Sequence, residues 1–335
     1  METNSRETLQ AAFDAFDISE NLGFLLEEPL TTLPDYYRVW LDLANNLTHL
    51  IESRKLRDQV HKAGSSSTGV HHSWDMYGRK DNMHPLRSSQ KPWLSPIGRE
   101  MEIGNLDMIF SFPGGESCRG FFIVSLLVDM AASSGITGTL EMKETFKLMH
   151  NHVDPAEFHG TLRMFFSGWR DNPMLPRGLL YEGVSNEPIL LSGISAAQSS
   201  TIQCFDALLR IQHEDETQAF LTRMRDYMLP AHRQLIQTLY VCPSLRDFIL
   251  SHSSSDLCQA YNSCVSALVD LRNYHLNSVT KYIIVPGNRV RAIGCPLRGV
   301  GPALNNTGTG GSNIMGFLKS VRDTTRKTLI LEVPI

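Results

Sequence analysis

One histidine, His275, stands in an otherwise apolar stripe of a long segment with helical periodicity. The stripe takes steps of three or four residues between positions 256 and 284, so its members share one helix face: Leu257, Tyr261, Cys264, Leu268, Leu271, His275, Val279 and Tyr282. Burial of an imidazole costs free energy unless its ring nitrogens find partners. The position therefore has two interpretations, a hydrogen-bonded histidine of the core or the proximal ligand of a haem iron beneath the helix.

The elements that must position this histidine are predicted to be helices. Apolar residues also recur at helical spacing in further segments, at 120–132, 158–169, 198–211, 217–227, 230–240, 244–250 and 314–328. Convincing strand alternation is absent from the sequence. The predicted fold class is therefore all-α.

The chain divides into three regions of different composition. Residues 8–62 carry helical periodicity, clearest from Pro34 onward, so residues 1–62 are predicted to form a small N-terminal helical domain. Residues 63–100 are rich in Ser, Gly and Pro and show neither a helical nor a strand period, so they are predicted to be a disordered linker. Residues 101–335 contain the remaining predicted helices and form the large helical domain.

Composition and charge exclude several classes of protein. The 335 residues carry a formal net charge of −4, which gives no electrostatic footprint for nucleic acid. The most apolar run, Phe121 to Val128, meets Asp129 well before the roughly 20 residues that a membrane span needs. The polar N-terminus does not resemble a secretory signal, and the six cysteines form no C-x-x-C pair. We therefore expect reduced thiols and a cytoplasmic protein.

Several short stretches, in the same order along the chain, carry a family resemblance. They are Phe110–Phe112, Gly120–Leu126, Leu162–Arg163, Ser167–Trp169, Leu180–Gly183, Ser195–Ser200, Pro230–Arg233, Leu271–His275 and Gly308–Gly311. Together they resemble the indoleamine 2,3-dioxygenase family, and its second paralogue more than its first. The resemblance implies an all-helical fold with a large haem domain and a smaller N-terminal domain.

The resemblance also implies a cofactor and a reaction. Members of this family bind haem b and use ferrous iron and O₂ to open the C2–C3 bond of the tryptophan indole, which gives N-formylkynurenine. His275 falls on the proximal iron ligand, and Arg272 falls on a partner of a haem propionate. An electron donor is expected to reduce the ferric haem, and the protein is expected to be a monomer.

The distal side of the pocket is assigned by the same resemblance. Phe121, Phe122 and Ser125 match the pocket wall, where a small hydroxyl lies near the bound oxygen. Phe158 and Arg163 match the pair that meets the substrate. A guanidinium can bind an amino-acid carboxylate through two charge-assisted hydrogen bonds, and phenylalanine rings can hold the flat indole.

Two loops complete the site implied by the resemblance. Ser195 and Ala196 match a loop over the haem edge, and Thr309 and Gly310 lie in a glycine-rich loop expected to close over substrate. The family has glycine where this chain has Ile194. A β-branched residue fits poorly if that position needs a positive φ, so strain is expected there.

The chain departs from the family at two places. Residues 63–100 contain none of the family's helix that completes the distal pocket, and the segment at 136–150 is much shorter than its counterpart. We therefore expect an isoform that lacks internal segments, with residues 1–62 a remnant of the small domain. The expected function is a haem-dependent tryptophan dioxygenase with impaired activity. The alternative is a non-catalytic interaction or immunomodulatory protein built on a residual helical haem domain.

Overall fold

The computed structural model describes residues 2–25, 38–56, 58–59, 93–96, 101–108, 111–170, 175–180, 185–252, 254–293 and 313–331. Its α-helices of four or more residues, in chain order, are α1 Glu2–Ala15, α2 Arg38–Asn45, α3 Leu47–Glu52, α4 Gly115–Ala131, α5 Gly138–Lys147, α6 Met149–His152, α7 Ser200–Leu208, α8 Asp215–Met224, α9 Pro230–Val241, α10 Leu245–His252, α11 Ser255–Val279, α12 Val285–Ile293 and α13 Ile314–Lys327. The predicted all-α class is confirmed.

Two strands form a small antiparallel pair. They are β1, Trp93–Pro96, and β2, Leu106–Met108, with Trp93 opposite Met108. The interpretation of residues 63–100 as a structureless linker is therefore wrong at β1. Two paired strands of three or four residues are too short to show a sequence period, and their pairing partner decides the conformation. Residues 63–92 and 97–100 lie outside the described residues.

Helix α4 is the most apolar element of the core. By length and composition alone, Gly115–Gly135 could span a membrane. In this fold its Phe122, Ile123 and Val124 are buried within the first core cluster. The helix packs closely on α6 at Gly120, because a Cβ atom there would collide with the carbonyl oxygen of His152. Helix α4 is thereby held at a fixed position beside α6.

The predicted helix over 256–284 is found as α11 and a following π turn, Thr280–Ile284. Its N-cap is Ser254, whose hydroxyl accepts a hydrogen bond from the Leu257 amide at 3.4 Å. Most of the predicted apolar stripe is buried, but Leu257 at its start is 40% exposed. The stripe therefore begins to bury its side chains one turn later than the periodicity indicates.

The N-terminal segment after α1 packs on the large helical region. His232 of α9 is 1% exposed, and its Nε2–H can donate to the Asp17 carbonyl oxygen at 3.2 Å. Its Nδ1 lies 3.0 Å from the hydroxyl of Ser200, the first residue of α7, and Phe24 meets the ring edge-on. Burial lowers the pKa of His232, so the ring is neutral and both nitrogens are satisfied.

Candidate functional site

A cavity of about 390 Å³ lies between α4, the segment 158–166, the loop 194–199, α11 and α13. This volume is within the range of cofactor and small-molecule pockets, roughly 300–1,000 Å³. The lining is mainly apolar, with a few polar and charged side chains. The cavity therefore has the composition of a site for a large apolar ligand with charged groups at its edge.

The cavity brings together every predicted site residue that the structure describes. They are Phe121, Phe122, Ser125, Phe158, Arg163, Ser195, Ala196, Arg272 and His275. The other two predicted residues, Thr309 and Gly310, lie outside the described residues. The individual roles given to these residues stay predictions.

His275 turns its imidazole towards the cavity. The residue is half-buried, and its accessible surface faces the cavity. The centre of the Phe146 ring lies 5.9 Å from the centre of the imidazole ring. Burial, together with the charge of Arg272, lowers the pKa of His275 to about 4. The imidazole is therefore neutral at pH 7, which is the form that binds a metal. Within the described residues it has no hydrogen-bond partner.

Phe158 and Arg163 reach the cavity together because the backbone between them is not an α-helix. Phe158–Leu162 forms a π turn, closed by a hydrogen bond from the Arg163 amide to the Phe158 carbonyl, and a 3₁₀ turn follows at Arg163–Phe166. In an α-helix, residues five apart would point about 140° away from each other. The π turn instead stacks residues five apart on one side. The predicted α-helix over 158–169 is therefore wrong.

Arg163 is the most deeply buried charged side chain at the cavity. It is 1% exposed, and burial lowers its pKa. The guanidinium nevertheless stays protonated at neutral pH because the ordinary pKa of arginine lies above 12. A permanent positive charge is thus placed in an apolar cavity, where it favours an anionic ligand group.

Aromatic rings form the wall beside Arg163. The ring of Phe121 lies 4.9 Å from that of Phe166 in a stacked arrangement and 5.2 Å from that of Phe158. Phe158 in turn meets Tyr282 edge-on at 5.7 Å. Such offset and edge-on contacts are the favoured geometries of aromatic rings. The wall is therefore rigid, flat in places and suited to a planar apolar ligand.

Two polar features sit at the edge of this wall. The Ser125 hydroxyl donates to the Phe121 carbonyl at 2.7 Å, so towards a ligand it offers its oxygen as an acceptor. Ser195 caps the short 3₁₀ turn Ala196–Gln198 in a reciprocal arrangement with Gln198. This capping fixes the loop beside the cavity.

The strain expected at Ile194 is not found. Ile194 does not have a positive φ, and its amide donates to the Phe166 carbonyl at 2.9 Å. Its side chain packs on the first core cluster and lines the cavity. The condition for a poor fit, a positive φ at this position, is therefore not met.

Arg272 belongs to a buried charge network that the sequence analysis missed. Its Nη2 donates to Asp206 Oδ1 at 2.5 Å, and its Nη1 donates to the Thr325 hydroxyl. The second oxygen of Asp206 lies 2.9 Å from Nε2 of His213. Burial alone would raise the pKa of Asp206, but the charge of Arg272 and the hydrogen bond from His213 lower it. The carboxylate is therefore charged, and it pairs with Arg272.

The network faces the cavity through Asp206 and Arg272. An arginine has five N–H donors, so the two bonds to Asp206 and Thr325 still leave donors for an anionic group in the cavity. The signal that could have found Asp206 is an acid in the apolar run Cys204–Ala207 of a predicted helix. A charge at such a position needs a buried partner of opposite sign.

Comparisons with known proteins assign the chain. A sequence model described as Indoleamine 2,3-dioxygenase matches residues 12–72 and 137–328, which is more than half of the chain. The chain belongs to the indoleamine 2,3-dioxygenase family. Mouse (Mus musculus) indoleamine 2,3-dioxygenase 2 is 38% identical, over 94% of this chain and 95% of its own length. Indoleamine 2,3-dioxygenase 1 of Rattus norvegicus is 37% identical over 95% of each chain.

A relative with a different name shares the same length of sequence. A protein named Myoglobin from Haliotis madaka is 30% identical over 93% of this chain and 97% of its own length. The family sequence therefore occurs in proteins named for two different activities.

The comparisons also show where this chain is unusual. Its alignment with the mouse paralogue 2 spans 385 residues although the chain has 335, so at least 50 aligned positions have no residue here. The family match is interrupted at residues 73–136, a range that includes α4. The first finding agrees with the expected loss of internal segments, whereas the second concerns residues that this chain contains, among them Phe121, Phe122 and Ser125.

Proposed function

We propose that the cavity binds haem b, with His275 as the proximal ligand of its iron. The residues fit the group: a neutral imidazole faces the cavity, the lining is mainly apolar, and Arg272 at its edge can meet a propionate. The carrying observation is that this imidazole and the buried guanidinium of Arg163 line one and the same cavity.

We propose that the loaded protein is a dioxygenase that opens the C2–C3 bond of the tryptophan indole to give N-formylkynurenine. When bound, ferrous haem supplies the binding and activation of O₂. Arg163 binds the substrate carboxylate, and the rings of Phe121 and Phe158 hold the indole and exclude water. Ser125 accepts a hydrogen bond from the ligand, because its own proton is engaged by the Phe121 carbonyl.

The test is reconstitution of the full chain with hemin, followed by a Soret spectrum and a kynurenine assay. Wild type is expected to show a Soret band and His275→Ala to lose it, together with turnover. His252→Ala is a matched control, because that histidine is exposed at the end of α10. Equal Soret bands in wild type and His275→Ala would refute His275 as the ligand.

A non-catalytic interaction protein is the second candidate. Two observations favour it: at least 50 aligned positions are missing here, and a relative of similar sequence is named Myoglobin. This candidate predicts a protein that is soluble and monodisperse and captures a protein partner. After incubation with hemin it is expected to form no kynurenine. Steady turnover of tryptophan would exclude it.

We further propose a cytoplasmic monomer that receives an electron from a donor to form ferrous haem. The proposal predicts one species near 37.6 kDa in light scattering, without an increase upon hemin loading. Reduction of the hemin-loaded protein by dithionite, compared with a flavoprotein donor, measures the need for a specific partner. A dimer in solution would contradict the first part.

A further inference from the structure

A buried serine hydroxyl on α11 lines the same cavity, and the proposed binding of haem and tryptophan gives it no role. Ser278 is 5% exposed and belongs to the cavity lining. Within the described residues, its Oγ completes no hydrogen bond of normal geometry. A buried hydroxyl left in this state lowers stability, so it is expected to acquire a partner when the cavity is filled.

The position of Ser278 on the helix brings it to His275. The two residues are three apart on α11 and both line the cavity. Side chains of an α-helix lean towards its N-terminus, so the Ser278 side chain leans back over the turn that carries His275. A second buried hydroxyl, that of Tyr274, lies beside them. Burial raises the pKa of Tyr274, and a side-chain hydrogen bond from the Ser278 hydroxyl to the Tyr274 oxygen lowers it, which leaves the Ser278 oxygen as an acceptor.

The other polar side chains of the proximal wall either have no acceptor, already bind another group or lie outside α11. Arg272 has donors only. Both oxygens of Asp206 already bind a donor, one Arg272 and one His213. The Tyr282 hydroxyl lies in the π turn after α11, where it donates to backbone carbonyls of Met149 and Val153. Of the polar side chains that α11 presents to the cavity, Ser278 therefore has the oxygen available.

We propose that Ser278 accepts the hydrogen bond of the second ring N–H of His275 when haem is bound, directly or through one water. A histidine that binds a metal almost always donates its other N–H to an acceptor, which fixes the ring and raises its basicity as a ligand. Ser278 is thus a positioning residue for the proximal ligand. The inference rests on the proposed function, because it requires haem on His275.

The test compares Ser278→Ala and Ser278→Thr with wild type, before and after loading with hemin. In Ser278→Ala the iron–histidine stretching frequency of the ferrous form is expected to fall and the ferric/ferrous potential to rise, because the ligand becomes less basic. Hemin affinity is expected to fall about tenfold. Ser278→Thr keeps the hydroxyl and should restore the wild-type values.

A matched control separates this role from a structural one. Ser263 lies on the same helix, is exposed, and donates to the Gln259 carbonyl at 2.9 Å, so Ser263→Ala should leave all three readouts unchanged. Without hemin, Ser278→Ala should be at least as stable to urea as wild type, because the deleted hydroxyl makes no hydrogen bond of normal geometry within the described residues.

Each outcome has a defined meaning. If wild type gives no Soret band, the proposed function fails, and this inference fails with it. If wild type binds hemin but Ser278→Ala matches it in frequency and potential, the role of Ser278 is refuted while the proposed function stands. A loss of urea stability in the Ser278→Ala apoprotein would also refute it, because the hydroxyl would then serve the fold itself.

Discussion

The two walls of the cavity are built in different ways. The wall that carries His275 is one regular helix, α11, whose charged residue Arg272 is tied into a buried network. The other wall consists of apolar rings and the buried guanidinium of Arg163, and it is built by α4 and by the π turn at Phe158–Leu162. Helix α4 also lies in the range where the family match is interrupted. The comparison teaches that the wall proposed to bind the cofactor and the wall proposed to bind the substrate are built from separate parts of this chain.

The largest expected effect breaks the α11 wall. Asp206→Asn leaves Arg272 buried without its carboxylate, and loss of one partner of a buried pair costs about 3–5 kcal/mol. The measurement is urea unfolding of the apoprotein. The control is Asp270→Asn. Asp270 is exposed on α11, the helix of Arg272, and pairs with Lys143 of α5, so its loss should cost less than about 1 kcal/mol. Equal losses would show that the network does not hold this wall.

A smaller effect separates the substrate wall from the cofactor wall. Arg163→Leu removes the buried charge proposed to bind the substrate carboxylate, and one charge-assisted interaction is worth about 1.5–3 kcal/mol, or roughly 10- to 100-fold in kcat/KM. The kynurenine assay should show this loss while the Soret band is retained. Loss of the Soret band instead would mean that both walls act as one unit.

The smallest of these effects concerns pH. The folded pKa of His275 is about 4, below its ordinary 6.5, so the unfolded chain binds a proton before the folded one does. Stability contributed by the neutral ring is full above about pH 6.5 and is lost as the pH falls towards 4. The apoprotein should lose about 1–2 kcal/mol more between pH 6.5 and 5 than His275→Gln loses. Urea midpoints at both pH values measure the difference.

This pH window isolates His275 from the other shifted groups. The pKa of Asp206 is lowered, so its protonation reduces stability only when the pH falls below about 3.8, the ordinary carboxyl value. His150 and His232 also have lowered pKa values, but they are the same in both proteins and cancel in the difference. Parallel stability curves would show that the His275 ring is as well solvated in the folded chain as in the unfolded one.

The sequence predicts the regular wall well, because periodicity reports a continuous helix face. The stripe through Leu268, Leu271 and His275 is found on α11, with its neighbours buried as expected. Periodicity cannot reveal the π turn at Phe158–Leu162, since one extra residue per turn changes which residues share a face. The resemblance placed Phe158 and Arg163 at the site, whereas a regular helix would have turned them apart.

The missed charge network shows a second limit of sequence reasoning. Asp206 and Arg272 are 66 residues apart, and His213 joins them from a loop, so no local pattern links the three. Each is unremarkable alone, and only the tertiary fold shows that they share one buried space. Ser278 escaped notice for the same reason, because a serine in a helix is ordinary until its surroundings are known.

The contact between Asp17 and His232 makes the first 25 residues part of the support for the pocket. His232 bonds to Ser200 at the start of α7, and Asp206 lies two turns along that helix. Removal of the N-terminal segment would delete the contacts of Asp17 and Phe24 with His232 and expose the N-terminus of α7 to water. A shortened chain that begins after residue 25 is therefore expected to bind hemin more weakly, although none of the deleted residues lines the cavity and only Leu25 and Leu22 among them pack in the first core cluster.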